Sequence, residues 1–111
     1  MVQIIGTKKC KETAKAIRAC KERKLPYQFV DLQERELSEG EWRSIFLAYD
    51  PASLIDESSA YYKKEGYSYR SYDSQEELRA HPQLLKTPLL RCKNRVHLGF
   101  DLTVIESWGS V

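Results

Sequence analysis

Three segments in the first 31 residues constrain this chain most: an apolar run, a helical stretch, and a second branched and aromatic run. Val2-Gln3-Ile4-Ile5 is rich in Val and Ile and stops at Gly6, which predicts a buried strand over residues 2–5. From Lys11 to Lys24, Ala16, Ile17 and Cys20 recur at helical spacing, with Lys15, Arg18, Lys21 and Glu22 largely on the other side. Leu25-Pro26 ends that helix, because proline disfavours helical backbone at the residue before it. Tyr27 to Asp31 then alternates and reads as a strand. A strand, helix and strand in this order forces the two strands to be parallel, joined by a right-handed crossover.

The remaining 80 residues supply helices and then a hairpin. Ser38 and Glu41 form a capping box, and Trp42, Ile45, Phe46 and Tyr49 follow at the spacing that buries one helical face, up to Asp50-Pro51. Leu54 to Glu65 is expected to be further helix, closed by Gly66 in a left-handed cap. Tyr67 to Tyr72 is either a strand or a surface connection with partly buried tyrosines. Ser74-Gln75-Glu76-Glu77 reads as a second capping box, opening a helix that His81-Pro82 ends. Thr87 to Cys92 and Arg95 to Leu98, joined by Lys93-Asn94, have the commonest hairpin loop length and are expected to pair antiparallel. Asp101 is the expected N-cap of a last helix with Val104, Ile105 and Trp108 on one side. The expected fold is α/β: a mixed four-stranded sheet built as βαβ then ββα, in a single domain over 1–111, with a helical insertion at about 38–82.

Cys10 stands where the first strand delivers the chain to a helix N-terminus. Peptide N–H groups without helical partners and the helix dipole stabilise an anion there, and a thiolate is such an anion. Lys8, Lys9 and Lys11 surround it, a setting that lowers a cysteine pKa. Residues 7–24 carry eight basic and two acidic side chains, whereas 31–41 carry five acidic and one basic. That asymmetry fits a solvated helix face beside an acidic loop, or a positive mouth for anionic thiols and oxyanions.

Cys10-Lys11-Glu12-Thr13 is C-x-x-T rather than C-x-x-C, so no second thiol three residues on can resolve a mixed disulfide, and Thr13 can at most donate a hydrogen bond to the sulfur. Ten helical residues put Cys20 roughly 15 Å from Cys10, beyond the ~7 Å Cα limit for a disulfide, and its neighbours make it a core residue. Cys92 belongs at the far end of its strand, about 13 Å past residue 88, and its place beside the turn predicts an exposed, incidental thiol. Three cysteines make no disulfide framework, and His81 and His97 show no ligand spacing with one another or with any cysteine. A net charge of +2 gives no reason to expect nucleic acid, and no apolar run approaches a membrane span. The composition and the absence of a signal sequence place the protein in the cytoplasm, as an expected monomer with no bound cofactor or metal.

Ile4-Ile5-Gly6-Thr7-Lys8-Lys9-Cys10 followed by Ala16, Pro26-Tyr27-Gln28-Phe29 with Asp31, His81-Pro82, Leu84-Leu85-Lys86-Thr87-Pro88, and Leu98-Gly99-Phe100 together resemble the arsenate reductase (ArsC)/Spx family of the thioredoxin-like fold. The resemblance implies a cis Pro88 beside Cys10, with the Thr87 backbone free to pair with an extended thiol substrate. Arsenate reductases of this class carry three anion-binding arginines where this chain aligns Ser58, Thr87, and Gly99 or Phe100. A serine and a threonine do not replace a planar fork of charged donors, so the likeness is to an ArsC-related branch rather than to the arsenate reductases themselves.

Two functions follow as expectations. One is a thiol-dependent oxidoreductase with Cys10 as its catalytic residue. Thr7, Lys8, Lys9, Lys11, Thr13, Thr87 and Pro88 would bind the substrate thiol, and glutathione or a small dithiol protein would release the product. The other is an Spx-like protein that docks on RNA polymerase, although such regulators typically sense with a C-x-x-C pair that is missing here.

Overall fold

Both faces of the first strand are buried, which puts it in the middle of the sheet. In the computed structural model, which describes residues 1–109, β1 (Val2–Gly6) pairs in parallel with β2 (Tyr27–Asp31) and antiparallel with β3 (Leu89–Cys92). β3 pairs antiparallel with β4 (Arg95–Leu98), giving the order β2-β1-β3-β4. This is the mixed four-stranded α/β sheet that the sequence predicts.

Alternation along β1 divides the core in two. Val2 and Ile4 face α1 (Lys11–Glu22) and α5 (Leu102–Gly109), where they pack with Ala16, Ala19, Cys20, Leu90 and Ile105. Ile5 faces the other way, onto α2 (Glu39–Ala48) and the insertion, among Val30, Trp42, Ile45, Leu54 and Leu89. Asp101 caps α5 through the Val104 N–H, and Val104 and Trp108 pack beside the buried Ile105.

α1 ends two residues earlier than the periodicity predicts. The Lys24 N–H donates to the Lys21 carbonyl and the Leu25 N–H to that of Cys20, the paired bonds of a Schellman cap, with Lys24 in the left-handed conformation at φ 55°. A lysine there carries a Cβ that glycine would lack. Lys24→Gly is expected to raise stability by about 0.5 kcal/mol, the relief of left-handed strain less the entropy that glycine adds to the unfolded chain. A urea midpoint that falls instead would show that the lysine is unstrained.

The Ser38–Glu41 capping box forms as the spacing predicts. The insertion beyond it departs from the sequence reading. Leu54 to Glu65 is not one helix: a 3-10 turn spans Pro51–Leu54, Ile55 forms an isolated antiparallel bridge with Leu85, and α3 is only Ala60–Lys64. Local polar side chains win over helix propensity there. Asp56 accepts from the Ser58 N–H and hydroxyl, and Ser59 caps α3 by accepting from the Tyr62 N–H. Gly66 takes the left-handed conformation, at φ 67°.

Of the two alternatives for Tyr67 to Tyr72, the structure has the connection: a 3-10 turn over Tyr67–Tyr69, with Tyr67 buried against Tyr61, Tyr62 and Tyr72. α4 (Ser74–Ala80) is capped by Asp73 rather than Ser74, because Glu77 is engaged elsewhere, accepting from the Tyr67 hydroxyl and Arg70. The hairpin turns on Lys93-Asn94 as expected, with β3 beginning at Leu89 rather than Thr87.

Candidate active site

Four segments meet at the C-terminal end of β1. Cys10 occupies the N-cap of α1, at φ −80° and ψ 118°, where a serine or aspartate would ordinarily accept from the first-turn N–H groups. The Cys10 N–H donates to the Thr7 carbonyl at 3.2 Å, and the Cys10 carbonyl opens the helix by accepting from Ala14. The loop is thus closed on itself, and the sulfur is left half-buried at its rim.

Across from it lies the cis peptide bond between Thr87 and Pro88, the geometry that the resemblance implies. The Cys10 thiol donates to the Thr87 carbonyl at 3.6 Å. Three backbone hydrogen bonds hold this segment in place. The Gly99 N–H, at φ 92°, donates to the Pro88 carbonyl at 2.8 Å, and the insertion is stitched to the approach by Lys86 N–H to Leu54 carbonyl and Asp56 N–H to Leu84 carbonyl bonds. Gly99 belongs to the C-terminal signature and is one of the two candidates for the third arginine position; its conformation shows why that position suits glycine.

Burial works against the Cys10 thiolate, yet its pKa lies below the ordinary cysteine value. The Thr13 hydroxyl, the Thr87 side chain, and the first-turn N–H groups of Thr13 and Glu12 outweigh the desolvation. The three lysines expected to do this are not among the groups responsible. Lys8, Lys9 and Lys11 are all exposed, and water screens such charges.

Thr13 is the least visible member of the site in the sequence. It is completely buried, and its hydroxyl makes no hydrogen bond among the described residues. An unpaired buried hydroxyl costs stability that a negative sulfur would recover. Directly beneath it is Gly6, where an added Cβ would fall 2.3 Å from Thr13 Oγ1, so the strand must end on glycine for the threonine to fit. Gly6 read in the sequence merely as a strand terminator. Thr13→Val is expected to raise the Cys10 pKa and to slow its alkylation near neutral pH severalfold, whereas Thr13→Ser restores the rate. Equal rates in all three proteins would remove Thr13 from the site.

The other two cysteines are out of reach. Cys20 lies on the inner face of α1, where burial pushes its pKa up. Cys92 is buried rather than exposed, contrary to the expectation from its place beside the turn. Strand alternation puts it on the same face as the buried Leu90, two residues away. Its register, beyond the pairing of Arg91 with Gln3, puts it at the opposite end of the sheet from Cys10. Among the described residues, no group of three or more His, Cys, Asp and Glu side chains is placed to hold a metal ion, and no helix is long and apolar enough to cross a membrane.

Of the positions that align with the anion-binding arginines, Ser58 is exposed and donates its hydroxyl to Asp56, Thr87 faces Cys10, and Gly99 holds the Pro88 loop. None offers a charged donor.

Solved structures with this architecture include the YffB protein (TM-score 0.80, 19% identity, covering 98% of this chain and 99% of that one). An arsenate reductase from Vibrio cholerae superposes with a TM-score of 0.75 at 14% identity, over 96% of each chain. An arsenate reductase (ArsC) related protein from Brucella melitensis does so at 0.69 and 20% identity, over 99% of this chain and 95% of that one. No curated protein matches the chain. The ArsC family model, by contrast, matches residues 5–108, nearly the whole length, and the chain therefore belongs to the ArsC family.

Proposed function

We propose that this protein is a thiol-dependent oxidoreductase that works through a single cysteine. The observation that carries the reading is the contrast among its thiols. Cys10 is half-buried at a helix start with a lowered pKa, while Cys20 and Cys92 are 0% and 5% exposed. A thiolate with no internal partner needs two outside molecules. In the first step the Cys10 sulfur attacks a mixed disulfide of glutathione, its electron pair forming a new S–S bond to the glutathione sulfur as the substrate leaves as a thiolate. In the second, a free glutathione thiolate attacks that sulfur, oxidised glutathione departs, and the Cys10 thiolate is regenerated.

Lys8, Lys9 and Lys11 would draw the anionic tripeptide to the site, and the Thr87 backbone beside Pro88 would align it. Arsenate is not the proposed substrate, since Ser58, Thr87 and Gly99 supply no bidentate charged donor.

Intact-mass measurement after treatment with oxidised glutathione should show one adduct on the folded protein, lost in Cys10→Ser. Serine is itself a good N-cap, so that variant should stay folded. Adducts distributed equally to Cys92, or a Cys10 alkylation profile titrating at the ordinary cysteine pKa, would overturn the reading.

A further inference from the structure

The flank of α1 carries a cleft of 350 Å³ that begins beside the thiol site and extends along the helix away from it. Neither Cys10 nor the Thr87–Pro88 segment lines it. Its head is formed by Thr7, Lys8 and Thr13, and its length by Ala14, Ile17, Arg18 and Lys21. The last four recur at i, i+3, i+4 and i+7, so they make one continuous stripe along the helix.

The charges in this stripe are one-sided. Nearby, Lys15 pairs with Glu12, and Arg23, just past the end of α1, with Glu22 and Glu106. Lys8, Arg18 and Lys21 have no acidic partner among the described residues, and no carboxylate lines the cleft. Like charges held around a concavity repel one another and concentrate a positive potential in it. Between them the surface is apolar, from Ala14 and the half-buried Ile17. From the level of Ala14 to that of Lys21 is seven residues of helix, roughly 10 Å.

From this arrangement we infer that the α1 cleft is a binding site for a small molecule with two negative groups on an uncharged body. Lys8 takes one group, Arg18 and Lys21 take the other, and the body rests on Ala14 and Ile17. Arg18 offers a planar pair of donors suited to a carboxylate or phosphate. The site stands on its own lining and does not require Cys10 to be reactive. Two sources share this chemistry: a free dianion, or the carboxylates of an anionic disulfide whose sulfur reaches Cys10.

The probe is suberate, an eight-carbon dicarboxylate, titrated into the full-length protein and followed by amide chemical shifts. Shifts should concentrate on residues 7–21, the neutral diol of equal length should cause none, and Arg18→Glu with Lys21→Glu should weaken binding at least tenfold in a protein with an otherwise unchanged spectrum. The milder Arg18→Gln with Lys21→Gln should fall between. Shifts elsewhere, an equal response to the diol, or affinity indifferent to both pairs of substitutions would overturn the site. Rates with wild type then separate the sources. Suberate that slows reaction with oxidised glutathione but not with neutral 2-hydroxyethyl disulfide assigns the cleft to the substrate's carboxylates, and suberate that slows neither assigns it to a free dianion. A Cys10 that reacts with no disulfide would end the oxidoreductase reading and leave the titration result intact.

Discussion

Glu41→Ala is expected to cost about 2 to 3 kcal/mol at neutral pH, from the loss of a capping box and of charge-assisted hydrogen bonds to a buried carboxylate. Glu41 is 5% exposed and serves more than its capping box. Its two oxygens accept a bidentate pair of bonds from Arg35 at 2.8 and 2.9 Å, one from the Ser38 N–H at 2.8 Å and one from Gln3 at 3.1 Å. Gln3 in turn accepts from Arg91 at 2.7 Å. One carboxylate therefore ties α2 to the β2–α2 connection and to the two central strands.

The Arg35 guanidinium is the largest influence on Glu41. Helped by the Ser38 N–H and Gln3, and against desolvation, it holds the carboxyl down from 4.5 to about 2. The folded value lies below the unfolded one, so the stabilisation is fully present above about pH 4.5 and is lost as pH falls from there through about 2. Because Arg35 is 40% exposed, solvent screening reduces the contribution to about 2 kcal/mol. Urea unfolding of wild type and Glu41→Gln between pH 6 and pH 2 measures this directly. The two curves should converge as pH falls, and parallel curves would show that the carboxylate's charge contributes nothing.

Gly6→Ala should cost about 1 to 3 kcal/mol and should also disturb Cys10. The new Cβ would meet Thr13 Oγ1 at 2.3 Å and Cγ2 at 2.9 Å, both on a buried, branched side chain with nowhere to turn. Relief must come from shifting the first turn of α1, which holds the thiolate-stabilising N–H groups. Adding Thr13→Ala removes both clashing atoms. The double variant is therefore expected to be more stable than Gly6→Ala alone, a coupling of about 1 kcal/mol in a double-mutant cycle. Additive effects would mean that the strand end and the helix start do not share this contact.

The close approach of Gly6 to Thr13 explains why the site was only half legible. A lone cysteine after a strand, at the start of a basic helix, is a local pattern, and so are the Ser38–Glu41 box, the left-handed Gly66 and the two-residue hairpin. Each depends on residues within a few positions of one another, where backbone sterics and side-chain caps act without help from the rest of the fold. The wrong expectations have the opposite character. The Leu54–Glu65 helix is interrupted by the Ile55–Leu85 bridge, and Ser74 lost the cap because Glu77 was taken by Tyr67. Lysines that look close to Cys10 in sequence point into solvent.

By itself, then, the sequence determined the parallel βαβ opening, the hairpin and the isolation of Cys10, because strand alternation, helix rise and turn length are local geometry. Only the tertiary structure decided what surrounds that sulfur. Thr13 fits beneath the helix start because Gly6 leaves room, Thr87 comes beside the sulfur because β3 returns antiparallel beside β1, and Cys92 is removed from it by register and is itself buried. Such contacts join residues up to 77 positions apart. Packing and sheet register bring them together, and neither is a property of any short stretch of chain.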